Sequence, residues 1–149
     1  MMLHFRKNAK NFVENDDGYT LLELLVVLVI LTLIVGIAGP QVLRQFGKAK
    51  SDTARIEVNR LVTEVEFFRV DVGRFPTSEE GLSGLLSQPE NASGWSGPYL
   101  SKASQVNDPW DNPYIYSLTI DGRGVEISSL GADGAAGGTG EDADVSSAN

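Results

Sequence analysis

Glu23 is the residue whose chemistry most needs an explanation. It is a carboxylate three positions inside a 19-residue apolar run, Leu21–Gly39, built almost wholly of Leu, Val and Ile. At about 1.5 Å per residue such a run reaches roughly 29 Å, enough to cross a bilayer core. An acidic side chain at mid-membrane costs on the order of 2.5–3.5 kcal/mol, and less near an end. Glu23 therefore either snorkels to the headgroups or serves a partner. The second chemistry-bearing group is Asp133, Glu141, Asp142 and Asp144, set in the glycine-rich stretch Gly131–Val145. Carboxylates among glycines that can turn their carbonyls inward suit a hard cation such as Ca²⁺. A solvated, flexible tail is the competing reading of the same residues, and the regular acidic spacing of an EF-hand is missing.

Little else in the chain supports catalysis. The 149 residues include no cysteine and one histidine, His4. If the segment ahead of the apolar run is removed, Ser-His-Asp, Cys-His and His-metal chemistry all fall away together. No catalytic residue is expected. With 12 Lys and Arg against 20 Asp and Glu, the net charge is −8. No basic stripe is present to neutralise phosphates, so nucleic acid is not an expected partner.

The elements that must position these groups follow from the hydrophobic pattern. Residues 1–18 carry Arg6, Lys7 and Lys10, then Glu14, Asp16 and Asp17. A secretory signal places its small-residue cleavage site after the apolar run, whereas Gly18 precedes it. On the residues alone, an uncleaved signal anchor with its basic N-terminus in the cytoplasm is an open reading. Beyond Pro40, Val58, Leu61, Val65, Phe68 and Val72 recur at helical spacing, and Val42, Phe46 and Ala49 are taken to extend that stripe backwards. One long helix from about Thr20 to Val72 is predicted. Pro40, with Gly36 and Gly39, marks a kink or an unwound turn, and Gly73 is the C-cap. A coiled-coil dimer is the competing reading of the stripe. Thr77-Ser78-Glu79-Glu80 reads as a capping box opening a short helix with Leu82, Leu85 and Leu86 on its apolar face. Residues 89–113 read as an irregular loop pinned by Trp95, Tyr99 and Trp110. Residues 114–120 and 125–130 read as strands of a hairpin across Asp121-Gly122-Arg123-Gly124. The fold class is α+β: a long N-terminal helix, membrane-spanning in its first half and amphipathic in its second, packed on a small antiparallel β-sheet head.

Gly18, Tyr19, Thr20, Leu21-Leu22 and Glu23, followed by an apolar run ending at Pro40, resemble the N-terminal signal of type IV pilins and pseudopilins. The motifs Gly73-Arg74-Phe75-Pro76-Thr77, Glu80-Gly81-Leu82, Asp108-Pro109-Trp110, Asn112-Pro113-Tyr114 and Ser129-Leu130-Gly131-Ala132-Asp133-Gly134 narrow the resemblance to the major pseudopilins of the type II secretion system. The resemblance implies cleavage after Gly18 by a prepilin peptidase and N-methylation of Tyr19. It implies that Glu23 pairs with the new amine of a neighbouring subunit. It also implies structural Ca²⁺ in the C-terminal loop, held by the Leu130 carbonyl, Asp133 and Asp144, with Asp142 a further candidate.

The implied organisation is a cleaved leader (1–18), a transmembrane and filament-core helix (19–40), an amphipathic helix (41–73) and a periplasmic head (74–149). The implied function is a structural subunit that polymerises into the periplasmic pseudopilus and drives folded proteins through the outer membrane. The expected partners are copies of the chain itself, minor pseudopilins, the prepilin peptidase, an inner-membrane assembly platform and, before assembly, the membrane. The expected location is the bacterial inner membrane, crossed once, with the head in the periplasm. A type IV pilin or minor pseudopilin is the nearest alternative, and a signal-anchored periplasmic binding protein or enzyme is a more distant one.

Overall fold

The computed structural model describes residues 18–120 and 122–148. The expected leader therefore lies outside the described residues except for Gly18, as does Asp121 of the hairpin turn. Helix α1 (Leu21–Val72) contributes to two compact units, divided between Pro40 and Gln41.

In the first unit the helix carries a window with mean hydropathy 3.0, none of which is buried within the protein. Leu21, Val35 and Ile37 are among the apolar side chains left largely exposed. Length and composition are those of a membrane-crossing helix. Thr32, its one mid-run hydroxyl, donates to the Leu28 carbonyl at 2.8 Å, which satisfies it without a partner helix. Residues 36–41 all stay helical, so the unwound turn expected at Pro40 is not formed. Pro40 removes one backbone donor, and Gly36 and Gly39 have open space around them.

The second unit is organised by the opposite logic. Ala54, Val58, Leu61, Val65 and Phe68 form one buried face of α1, each at most 1% exposed. Full burial of each larger side chain is worth about 1.5–3 kcal/mol. The backward extension of this stripe is corrected by the structure. Val42 and Phe46 are 49% and 66% exposed, and Ala49 is exposed as well. The buried face instead continues through Ser51 to Gly47. From Val58, steps of four and three lead to Ala54, Ser51 and Gly47, whereas Val42, Phe46 and Ala49 fall on the far side of the helix. They carry the apolar pattern without facing the head.

Gly73 ends the helix in a left-handed conformation (φ 82°), and its amide bonds the Arg69 carbonyl at 2.8 Å. The capping box forms as its residues predict. The Thr77 amide donates to Glu80 at 2.8 Å and the Glu80 amide to the Thr77 hydroxyl at 3.2 Å, opening a short 3-10 turn over Gly81–Leu85. Arg74 grips both Glu80 oxygens, at 2.7 and 2.8 Å. That grip is the main reason the Glu80 carboxyl sits below its ordinary pKa. The irregular loop is pinned at two places: Trp95 donates to the Gly84 carbonyl of the 3-10 turn at 2.9 Å, and Tyr99 and Ser96 both donate to Asp71 of α1.

The sheet has three antiparallel strands in chain order: β1 (Ile115–Leu118), β2 (Val125–Ser129) and β3 (Val145–Ser146). Register pairs Ile115 with Ser128 and Leu118 with Val125, and β3 sets Val145 opposite Ser129. Ile127 and Val145 point into the core with Leu85, Leu100 and Phe75. Tyr114 reaches across to α1, donating to Glu57 at 2.8 Å, and burial pushes its phenol well above the usual range. The third strand was not foreseen in the sequence, because two residues at the end of a glycine-rich tail leave no alternation to detect.

Candidate functional site

Two places carry the residues singled out above. At the N-terminus, Gly18, Tyr19 and Thr20 precede the helix without regular structure. Glu23 is exposed, and its carboxylate turns back onto the first turn. Oε2 accepts from the Thr20 amide at 3.0 Å and from the Thr20 hydroxyl at 3.2 Å, while the Glu23 amide donates to that hydroxyl at 3.2 Å. These are the reciprocal bonds of a capping box, with Thr20 as N-cap and Glu23 at the third helical position. The signal was legible as Thr-x-x-Glu before an apolar run, and sequence reasoning missed it. The geometry sets the carboxylate among the unsatisfied amides at the positive end of the helix dipole. Its partner, the Thr20 amide, belongs to the residue that follows Tyr19, and Glu23 itself stands four residues after Tyr19 along the chain.

The second place is the C-terminal loop, which is anchored by Asp108, Asn112 and Ser129. Asp108 is 6% exposed and Ser129 fully buried. Asp108 Oδ1 accepts from the amides of Trp110 (3.0 Å) and Asn112 (2.9 Å), and Oδ2 from the Ser129 hydroxyl at 2.5 Å. Ser129 Oγ in turn accepts from the Gly131 amide at 3.1 Å, and Asn112 donates to the Gly131 carbonyl at 3.1 Å. One buried carboxylate thus ties the Asp108-Pro109-Trp110 turn, Asn112 and the Ser129-Leu130-Gly131 corner together. Charge-assisted bonds to a buried carboxylate hold such a corner firmly.

From this corner the loop folds on itself. Gly131 (φ 70°) lies so close to the 141–142 backbone that a Cβ there would stand 2.7–2.8 Å from the Asp142 carbonyl group and the Glu141 oxygen. The Ala132 amide bonds the Glu141 carbonyl at 2.9 Å. Gly131, Gly134, Gly137, Gly138 and Gly140 all adopt positive φ, which other residues rarely do. Asp133 Oδ1 accepts from the Ala135 amide and Asp144 Oδ2 from the Gly137 amide, both at 3.0 Å. Leu130 follows directly on buried Ser129, and Asp142 faces Gly131 and Gly138 with its carbonyl. Among the described residues no three acidic side chains converge on one point. The Asp133 and Asp144 carboxylates each accept one loop amide through a single oxygen, and oxygen donors of this kind are the type a hard cation takes. A cation here would take its ligands from two carboxylates and main-chain oxygens. At the far side of the loop, Glu141 lies over Gly47 of α1, where a Cβ would stand 2.7 Å from its Oε2.

An exposed apolar helix with a glycine-preceded, carboxylate-capped start, continuing into a small α+β head closed by its own C-terminal loop, is the build of a membrane-anchored, pilin-like assembly subunit. Residues 15–39 match the prokaryotic N-terminal methylation motif, and residues 41–148 match the model for type II secretion system (T2SS), protein G. The chain belongs to the type II secretion system protein G family, whose members are structural subunits of the pseudopilus. Among its relatives, the type II secretion system core protein G of Xanthomonas campestris is 34% identical over 86% of this chain and 87% of its own. That of Vibrio cholerae is 33% identical over 92% and 94%. The crystal structure of the major pseudopilin from the type 2 secretion system of enterohaemorrhagic Escherichia coli superposes with a TM-score of 0.54 at 26% identity, covering 67% of this chain and 87% of that one.

Proposed function

We propose that this chain is cut after Gly18, methylated on Tyr19 and polymerised into the pseudopilus through its apolar helix, with Glu23 as the assembly contact. The observation that carries this reading is the unburied apolar helix behind a methylation motif that spans Gly18, Tyr19 and Glu23. Before assembly the helix crosses the inner membrane once, with the head in the periplasm. In a filament the same side chains pack against copies of themselves. A carboxylate and an ammonium are each costly when buried alone and tolerable when paired. The Glu23 carboxylate, folded back on Thr20 in the free subunit, pairs in the filament with the Tyr19 amine of a neighbouring subunit, and that pairing sets the axial register. The head carries no catalytic role: its motifs build turns and a loop anchor. The prepilin peptidase, minor pseudopilins and an inner-membrane platform are the remaining partners, and the filament acts in moving folded proteins through the outer membrane.

The C-terminal loop holds Ca²⁺ through Asp133, Asp144 and the Leu130 carbonyl, with Asp142 adjacent. Bound there, the ion would supply a cross-link to a small domain that has no disulfide. Support comes from the all-oxygen donors and the five left-handed glycines of the loop.

The test is Glu23→Ala in cells carrying the rest of the secretion machinery. Membrane insertion is expected to be unchanged and filaments lost. Normal filaments from that variant would contradict the pairing.

A further inference from the structure

Four cations follow the apolar run closely: Arg44 stands five residues after Gly39, and Lys48, Lys50 and Arg55 follow, with Asp52 the one acidic residue among them. This is a basic segment in a chain of net charge −8. All four side chains are exposed. Among the described residues none of them forms an ion pair or a side-chain hydrogen bond, whereas Arg69 and Arg74, further along, are held by Glu66 and Glu80. Arg44 and Lys48 are one turn apart on one helix face, where like charges repel. Between them along the chain lies Gly47, buried beneath the Glu141 side chain. Leu43, Arg44, Gly47, Lys48 and Ser51 line a groove of about 420 Å³, closed on one side by Gly140 and Glu141.

We infer that this groove binds the phosphate of an anionic phospholipid headgroup while the chain is in the membrane. Two unpaired cations supply the charge. Leu43 offers an apolar edge to the glycerol and acyl chain. Lys and Arg beside a membrane span attract anionic lipid at about 1 kcal/mol each. Segments on the exported side of a span tend to be poor in such residues, so this cluster opposes export of the head, and a headgroup contact offsets that opposition. Glu141 at the groove wall weakens the site and keeps the lipid exchangeable, as a subunit leaving the bilayer requires. The inference rests on the membrane-anchored reading above and adds a ligand to it.

The full chain, reconstituted in phosphatidylcholine vesicles, is titrated with spin-labelled phosphatidylglycerol and phosphatidylcholine. Phosphatidylglycerol is expected to be preferred by about fivefold for each cation that reaches its phosphate. The preference should fall to near unity in Arg44→Gln/Lys48→Gln, survive in Lys48→Arg, and rise in Glu141→Gln. Millimolar inorganic phosphate should leave it unchanged. Equal association of the two lipids, a preference indifferent to Arg44 and Lys48, or displacement by free phosphate would each overturn the proposal. All variants alter exposed side chains, and circular dichroism verifies their folding. Resistance of the vesicle-bound chain to alkaline carbonate extraction reports anchoring separately, so failure of the anchor and failure of the lipid site give different results.

Discussion

Gly131 and Gly140 make a matched pair for testing how the C-terminal loop is held. Their φ angles are 70° and 69°, so alanine meets the same left-handed penalty at both, about 1–2 kcal/mol. Part of it is offset by about 0.4–1 kcal/mol of lost unfolded-state freedom. Their surroundings differ completely. At Gly140 a Cβ enters open space, while at Gly131 it meets the Asp142 carbonyl carbon at 2.7 Å and the Asp142 and Glu141 oxygens at 2.8 Å. Those neighbours are backbone and cannot rotate away. The 141–142 segment must shift by more than half an ångström, at an overpacking cost of roughly 1–3 kcal/mol. The shift also strains the Ala132–Glu141 hydrogen bond, worth about 1 kcal/mol. Gly140→Ala should therefore destabilise the folded head by about 1 kcal/mol, and Gly131→Ala by about 3 kcal/mol. At about 4 °C per kcal/mol for a unit of this size, their melting temperatures should differ by roughly 8 °C. The assay is thermal unfolding of the full chain in detergent, followed by near-ultraviolet circular dichroism. Equal melting temperatures for the two variants would refute the close packing of Gly131 on the 141–142 backbone.

Two further outcomes follow from the same geometry. Chelation of Ca²⁺ should lower the head's melting temperature, with excess ion at a hundred times its dissociation constant adding about 2.7 kcal/mol; Asp133→Ala should abolish the response, and a melting temperature indifferent to Ca²⁺ would remove the cation from the loop. Arg74 holds Glu80 below its ordinary pKa chiefly by hydrogen bonding, so the pair contributes stability above the ordinary carboxylate value and loses it as pH falls through the lowered one. After solvent screening this is about 1 kcal/mol, and Glu80→Gln should flatten the acid side of the stability profile, read by urea titration from pH 7 to pH 3.

The long helix, its C-cap at Gly73, the Thr77–Glu80 box and the β1–β2 hairpin were legible because each rests on local chemistry: a 3.6-residue period, a glycine at positive φ, reciprocal side-chain caps, a turn of Asp and Gly between alternating runs. The stripe through Val42, Phe46 and Ala49 misled because it is itself a regular 3-4 pattern, on the face opposite the core. Periodicity says that a face is apolar, not what covers it. The network from Asp108 to Ser129 and Gly131 was hidden for a different reason. Its members lie up to 23 residues apart, and nothing local about an Asp before a Pro says that a buried serine will meet it. Thr20 and Glu23 illustrate a third case: the capping signature is in plain view, but the apolar run and the expected partner amine draw the reading of Glu23 away from the first turn of its own helix.

On the proposed function, Glu23 pairs with an amine that exists only once the chain is cut after Gly18. Intact-mass measurement of the protein extracted from membranes that contain a prepilin peptidase tests this most directly. The expected product is a chain beginning at Tyr19 and carrying one methyl group on its α-amine. A chain retaining Met1 to Gly18 in assembled filaments would contradict it.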